Sequence, residues 1–259
     1  MENETAKITL LRLTDTGKST TEDVVARESP LTIILNNQEL VTLLCSPKDL
    51  DYLAVGFLFS EGFLGSKDDI KKITVDNRQG IVRVETSGDE TAVSELFKRF
   101  ITSGCGRGAS FYSAADTQNQ TKIQSQVRMS THQVISLVHE FQQRSQLYRA
   151  TGGVHSAALC TTEDILVFSE DIGRHNAIDK IFGRCLLEGI PTADRVIITS
   201  GRISSEILLK VAKRNIPIII SKSAPTDLGV KLANDLGVTL LGFVRGKRMN
   251  IYSHDFRTV

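Results

Sequence analysis

Ile165-Leu166-Val167-Phe168-Ser169-Glu170-Asp171-Ile172-Gly173-Arg174-His175 begins as a short apolar run and ends in polar and charged residues. Three later stretches repeat the pattern. Val196 to Ile198 runs into Thr199-Ser200-Gly201-Arg202, and Ile216 to Ile220 into Ser221-Lys222-Ser223. Val238 to Leu241 runs into Gly242-Phe243-Val244-Arg245-Gly246-Lys247-Arg248. Helix-length segments separate the runs, so the strands pair in parallel, because a tight hairpin cannot join parallel neighbours. In such sheets ligands bind beyond the carboxyl ends of the strands. The four runs therefore carry their polar residues to one edge, where function is expected.

Upstream, Val154 to Thr161 and Ile165 to Ser169 flank a tight Thr162-Glu163-Asp164 turn, so this sheet starts antiparallel and becomes parallel. Ser130 and Thr131 cap a helix with Val134, Leu137, Val138 and Phe141 on one face, running to about Arg149 and stopped by Thr151-Gly152-Gly153. The expected fold class is α/β, a mixed sheet flanked by helices over residues 130–259. A smaller α+β domain is expected over residues 1–100. Its strands are Ile8 to Leu13, Leu31 to Leu35 and Leu40 to Cys45, read as one antiparallel sheet.

Ser46, Pro47 and Asp49 have the spacing of a helix start, with Ser46 as the cap. Leu50, Leu53, Ala54, Phe57 and Leu58 give that helix a buried face, and Glu61-Gly62 ends it. Ile70 to Val75 and Ile81 to Glu85 read as a hairpin-like pair, and Ala92 to Phe100 as a short helix. Residues 101–129 form a polar connector without periodicity, bearing Cys105.

The chain has 259 residues and a formal net charge of +1, which argues against a nucleic-acid partner. The run Arg245-Gly246-Lys247-Arg248 is too short for a polyanion surface but suits one or two phosphates. No apolar run reaches bilayer-spanning length, and Met1-Glu2-Asn3-Glu4 does not open a signal peptide. No membrane partner and a cytoplasmic location are the expectations.

Cys45, Cys105, Cys160 and Cys185 lie far apart, so neither a disulfide framework nor a structural zinc site is encoded. Cys45, Cys160 and Cys185 sit among apolar neighbours and read as small buried hydrophobes. Cys105 differs, because flanking glycines leave its sulfur open and Arg107 favours the nucleophilic thiolate. The same residues also suit a flexible loop with an incidental thiol.

His155 and His175 fall at the same expected sheet edge and suit a structural or a functional role alike. A catalytic metal is not expected. A zinc deaminase needs H-x-E and C-x-x-C, whereas the chain offers His155-Ser156-Ala157 and no C-x-x-C. Ser200-Gly201-Arg202 and Ser223 to Thr226 each precede a helix, where backbone donors and Lys222, Arg245, Lys247 and Arg248 favour an anion. Each alone reads as a helix cap with solvated charge, but their convergence favours an anionic ligand. Asp179, Lys180, Glu206 and Lys210 read as ordinary surface pairs.

Several strings together resemble the FdhD/NarQ family. They are Ser46 to Leu50, Gly56 to Gly62, Thr151 to His155, and Glu170-Asp171-Ile172-Gly173-Arg174-His175-Asn176-Ala177-Ile178-Asp179-Lys180. Ser200 to Glu206, Ser223 to Thr226 and Gly242 to Tyr252 complete the set, in order along nearly the whole chain.

The resemblance implies a sulfurtransferase that serves formate dehydrogenase maturation, with a catalytic domain of cytidine deaminase-like fold. It implies that sulfur comes from a cysteine desulfurase as a persulfide on Cys105 and passes to a bis-molybdopterin guanine dinucleotide of molybdenum or tungsten before insertion into the formate dehydrogenase apoenzyme. The family's cofactor-binding segment falls on Phe243, Val244, Arg245, Gly246, Lys247 and Arg248. Ser200, Arg202, Ser223, His155 and His175 are the further cofactor-binding candidates. A homodimer is expected from base rates and family likeness.

The family's loop usually carries a second cysteine where this chain has Gly108. That departure makes a single-cysteine relay the expectation and a non-catalytic cofactor chaperone its alternative. A nucleotide-processing enzyme is disfavoured by the missing zinc and proton-shuttle residues.

Overall fold

A computed structural model of the chain describes residues 3–87 and 122–259. Cys105, Arg107, Gly108 and the helix expected at Ala92 to Phe100 lie outside the described residues.

The larger sheet has six strands: β7 (His155–Cys160), β8 (Ile165–Asp171), β9 (Val196–Thr199), β10 (Ile218–Ser221), β11 (Thr239–Arg245) and β12 (Arg248–Ser253). Their order across the sheet is β12-β11-β10-β9-β7-β8. β9, β10 and β11 are parallel, whereas β7 runs antiparallel to both β8 and β9. β8 therefore points the same way as β9, and the four predicted strand ends share one edge with the start of β7. The sequence reading treats Gly242 to Arg248 as a loop, but β11 continues to Arg245 and folds back as the antiparallel β12.

Side chains alternate between the two faces of this sheet, as extended backbone requires. Ile197, Ile219 and Leu240 pack under α4 (Arg174–Glu188), α5 (Ser205–Ala212) and α6 (Asp227–Leu236). Val196, Ile198, Ile218 and Ile220 face the opposite way, toward Val134, Leu137, Val138 and Phe141 of α2 (Thr131–Arg144). Ser130 caps α2 by accepting from the Gln133 amide, and Gln133 reaches back to the Ser130 amide. The helix stops sooner than its periodicity suggests. Ser145 leaves helical geometry at ψ 66° and turns its hydroxyl onto the Phe141 carbonyl, after which α3 (Gln146–Thr151) starts afresh.

The N-terminal strands depart from a single antiparallel sheet. Among the described residues β1 (Thr5–Thr14) pairs only with β2 (Gly17–Ala26) in a separate ribbon, and its Leu11 and Leu13 are exposed. The four-stranded sheet has the order β4-β3-β6-β5, from β3 (Ser29–Leu35), β4 (Gln38–Cys45), β5 (Ile70–Asp76) and β6 (Ile81–Thr86). Its β3–β6 pair is parallel, so the sheet is mixed.

α1 (Leu50–Glu61) covers this sheet and crosses α4 at Gly56 and Gly183. A Cβ on Gly56 would collide with the Asp179 carbonyl, and one on Gly183 with the Tyr52 carbonyl. Only hydrogen at both positions permits this approach.

Ser46 does not cap α1. The residue before the helix is Asp49, in left-handed geometry at φ 54° with no side-chain cap. Ser46 instead ties two parts of the chain together. Its amide donates to Asp171 (3.0 Å), its hydroxyl accepts from the Ile172 amide (3.2 Å), and its carbonyl accepts from Lys180 Nζ (3.3 Å).

The charges read as surface pairs are mostly interior. Asp179, Lys180 and Lys210 are 1%, 2% and 5% exposed. α4 is covered by α1 on one side and the large sheet on the other, so its middle turns have no solvent face. Lys180 pairs with Asp171 at 2.7 Å, while Lys210 pairs with Asp179 at 2.7 Å and Glu61 at 3.4 Å. Burial alone would lower the Lys210 pKa, but the Asp179 and Glu61 carboxylates outweigh it and hold the ammonium above its ordinary range.

Candidate functional site

A cleft of about 840 Å³ opens at the sheet edge where β8 to β11 end and β7 begins. His155, Ser200, Ser223, Arg245 and Gly246 all line it. His155 enters from the first residue of β7, and its Nδ1 lies 3.3 Å from the Ser200 hydroxyl. That hydroxyl also accepts from the Ser156 amide at 3.0 Å, which fixes Ser200 beside the ring. Burial first, then the Arg174 charge, lowers the His155 pKa and so disfavours the imidazolium.

The next strands supply positive charge. Ser223 donates its amide to Ser221 Oγ (2.9 Å) and accepts the Phe243 amide (3.1 Å), locking the ends of β10 and β11 together. Arg245 Nε donates to the Lys222 carbonyl at 3.3 Å, leaving the rest of its exposed guanidinium for the cleft. Burial and then Arg245 lower the Lys222 pKa, as expected for two cations placed close together.

Phe243 stands in left-handed geometry at φ 52°, within the irregular stretch between Gly242 and Arg245. A bulky residue is strained there, and such a bulge re-aims the side chains that follow it.

The remaining candidates are not in the cleft wall. Val244 is buried in the core below the sheet. Lys247 and Arg248 are exposed at the β11–β12 turn, and Arg202 is exposed after β9. His175 is the second residue of α4, with Nε2 3.5 Å from Glu206 Oε2. Burial, then Lys210, Arg174 and His155, push its pKa down to about 3.

The reading of open helix starts is corrected at two places. Ser204 caps α5 by accepting from Ile207, and Thr226 caps α6 by accepting from Gly229, so each side chain fills one of the expected donor positions. Cys45, Cys160 and Cys185 are buried, and burial raises each thiol to about 12, which makes them inert.

The far wall of the cleft was not anticipated. Phe141, Tyr148 and Arg149 from α2 and α3 line it, with Val154 and Ile172. Tyr148 is 47% exposed despite its size, and no sequence signal set it apart, because helical spacing continued from Val134, Leu137, Val138 and Phe141 puts it on their apolar face. Glu170 accepts the Leu147 and Tyr148 amides at 3.0 Å each and so anchors this wall to β8.

Comparison with known proteins agrees with this architecture. The sulfur carrier protein FdhD of Bacillus subtilis (strain 168) is 45% identical over 240 residues, covering 92% of each chain. The protein of the same name from Staphylococcus aureus (strain MRSA252) is 42% identical over 253 residues, covering 96% of this chain and 95% of that one. A crystal structure from Desulfotalea psychrophila, described as a formate dehydrogenase accessory protein, superposes with a TM-score of 0.82 at 26% identity. The match covers 98% of this chain and 99% of that one. The FdhD/NarQ family model matches residues 26–259, nearly everything from the end of the ribbon onward, and this chain belongs to that family.

Proposed function

We propose that this protein carries sulfur for the maturation of a formate dehydrogenase, loading it on Cys105 and handing it to a molybdenum or tungsten bis-molybdopterin guanine dinucleotide held at the cleft. The observation that carries the reading is the meeting of Lys222, Arg245, Ser200, Ser223 and His155 around one cleft beside an aromatic wall. Donors and cations suit a pyrophosphate, and Tyr148 with Phe141 suits a flat base. The cleft has the size of a site for one nucleotide arm of the cofactor. In a homodimer each chain would hold one arm. The names of the relatives as sulfur carriers support the same reading.

The chemistry needs one thiol. Cys105 thiolate attacks the terminal sulfur of a persulfide on a cysteine desulfurase. The donor's S–S bond breaks, its cysteine leaves as thiolate, and Cys105 becomes the persulfide without net oxidation. Delivery as sulfide breaks the new S–S bond and consumes two electrons. Two external thiols supply them and leave as a disulfide. Gly108 offers no internal resolving thiol, so the reductant comes from outside the chain.

Intact-protein mass spectrometry after incubation with a cysteine desulfurase and cysteine tests the reading. The expected result is a one-sulfur increment that reduction removes and that Cys105→Ala lacks. No increment with an active desulfurase would leave a cofactor chaperone that transfers no sulfur.

A further inference from the structure

α3 has little of its own to hold it in place. It is six residues long, a length at which an isolated helix is not stable in water, and Leu147 is its only buried residue. Ser145, at its start, does not cap it, because that hydroxyl is turned back onto the Phe141 carbonyl. Yet α3 carries Tyr148 and Arg149, which together with Phe141 make the far wall of the cleft.

The missing cap comes from another element. Glu170, next to last in β8, sets one carboxylate oxygen on the Leu147 amide and the other on the Tyr148 amide, at 3.0 Å each. These are the second and third amides of the helix, which no turn of the helix itself can satisfy. Two bonds from one rigid, charged group fix direction as well as distance. Elsewhere α3 is tied by Arg149 to the Gln143 carbonyl of α2, on the exposed side, and packs against β2 of the ribbon.

The same carboxylate reaches the opposite wall. Glu170 pairs across the strands with Ser156 of β7, whose hydroxyl lies 3.3 Å from Glu170 Oε1 and 3.0 Å from Ser145 Oγ. The main chain of Ser156 holds Ser200 from both ends: its amide donates to the Ser200 hydroxyl, and its carbonyl accepts the Ser200 amide. Glu170 therefore joins the aromatic wall to the wall of Ser200 and His155 while not itself lining the cleft. On charge alone, a carboxylate in this place works against an anion in the cleft.

We propose that Glu170 is a positioning residue for the cleft. It acts through α3, holding Tyr148 at the spacing from the Ser200 and His155 wall at which a flat base stacks. The inference rests on the reading of this cleft as the seat of a nucleotide arm and names the group that sets its width.

The chain contains no tryptophan, so Tyr148→Trp puts a lone indole in the wall. In that full-length protein without ligand, Glu170→Ala is expected to raise acrylamide quenching of the indole and lower its anisotropy. Glu170→Gln keeps a carbonyl for one amide but turns an NH2 group against the other, so it should move both signals part of the way. It carries the test if the alanine variant does not fold. With Tyr148 in place, calorimetry should show guanosine diphosphate binding about tenfold more weakly to Glu170→Ala, equivalent to about 1.4 kcal/mol. Loss of a nearby negative charge would by itself tighten an anion, so the sign separates positioning from electrostatics. In a Tyr148→Ala background the same substitution should change affinity less than about twofold, because the side chain being positioned is gone. An indole signal indifferent to Glu170 overturns the proposal. So does tighter binding, or an equal loss of affinity in both Tyr148 backgrounds, as a merely structural role would give. A parent that binds no guanosine diphosphate counts against the nucleotide reading instead, and the indole signal alone then decides the role of Glu170.

Discussion

The seam between α1 and α4 and the edge of the large sheet use the same residue types to opposite ends. At the seam, Lys180 and Lys210 are buried and matched to Asp171, Asp179 and Glu61. At the edge, Arg245 forms no ion pair with the described residues, and Lys222 faces another cation. A matched buried pair holds two segments in register, whereas an unmatched cation beside a cleft is available to a ligand. What separates structure from function here is the partner and not the residue.

The contrast breaks most sharply at Asp179, which accepts from Lys210 and, at 2.6 Å, from Ser60. Asp179→Ala leaves the Lys210 charge buried beside Glu61 alone, and denaturant unfolding should show a loss of about 3–5 kcal/mol. Arg245→Ala is the counterpart at the edge. Stability should change by no more than about 0.5 kcal/mol, while calorimetry should show about tenfold weaker binding of guanosine diphosphate, the probe for one cofactor arm. A large stability loss at Arg245 would erase the distinction between the regions.

The smallest effect sharpens their boundary. His175 has a pKa of about 3 in the fold against an ordinary 6.5, so the unfolded chain binds its proton first as pH falls. Its contribution is therefore full above about pH 6.5 and is lost between there and about pH 3, with a slope under about 1.4 kcal/mol per pH unit. Melting temperatures between about pH 7.5 and pH 4.5 should fall less steeply in His175→Gln than in the parent. An unchanged slope would show that His175 does not titrate with unfolding.

The large sheet was legible because its strands are short, apolar and bounded by polar residues. Every predicted strand end does reach one edge. β2 escaped notice because Gly17-Lys18-Ser19-Thr20-Thr21-Glu22-Asp23 has almost no apolar content, and its pairing with β1 is local rather than driven by a core. β12 escaped for a similar reason, since Arg248, Asn250 and Ile251 are all exposed.

The buried lysines could not be read from spacing. A charged residue in a helix looks solvated until it is known that a second helix covers it. Ser46 misled in the same way, because a serine before a helix has the same letter whether it caps that helix or fastens a strand end far along the chain. At the site, His155, Ser200, Ser223, Arg245 and Gly246 do line the cleft at the sheet edge, whereas Val244 turns into the core. The wall built by α2 and α3 depends on a helix break at Ser145 that no periodicity announces.

The crossing at Gly56 and Gly183 constrains how this protein can change over time. A collision between two side chains can be relieved by shortening one of them, and such paired changes let most interiors drift. Here each hypothetical methyl would meet a main-chain carbonyl, which every residue possesses. No second substitution can remove that obstacle. These two positions should therefore remain glycine in any descendant that keeps α1 and α4 in this embrace, however far the charges around them wander.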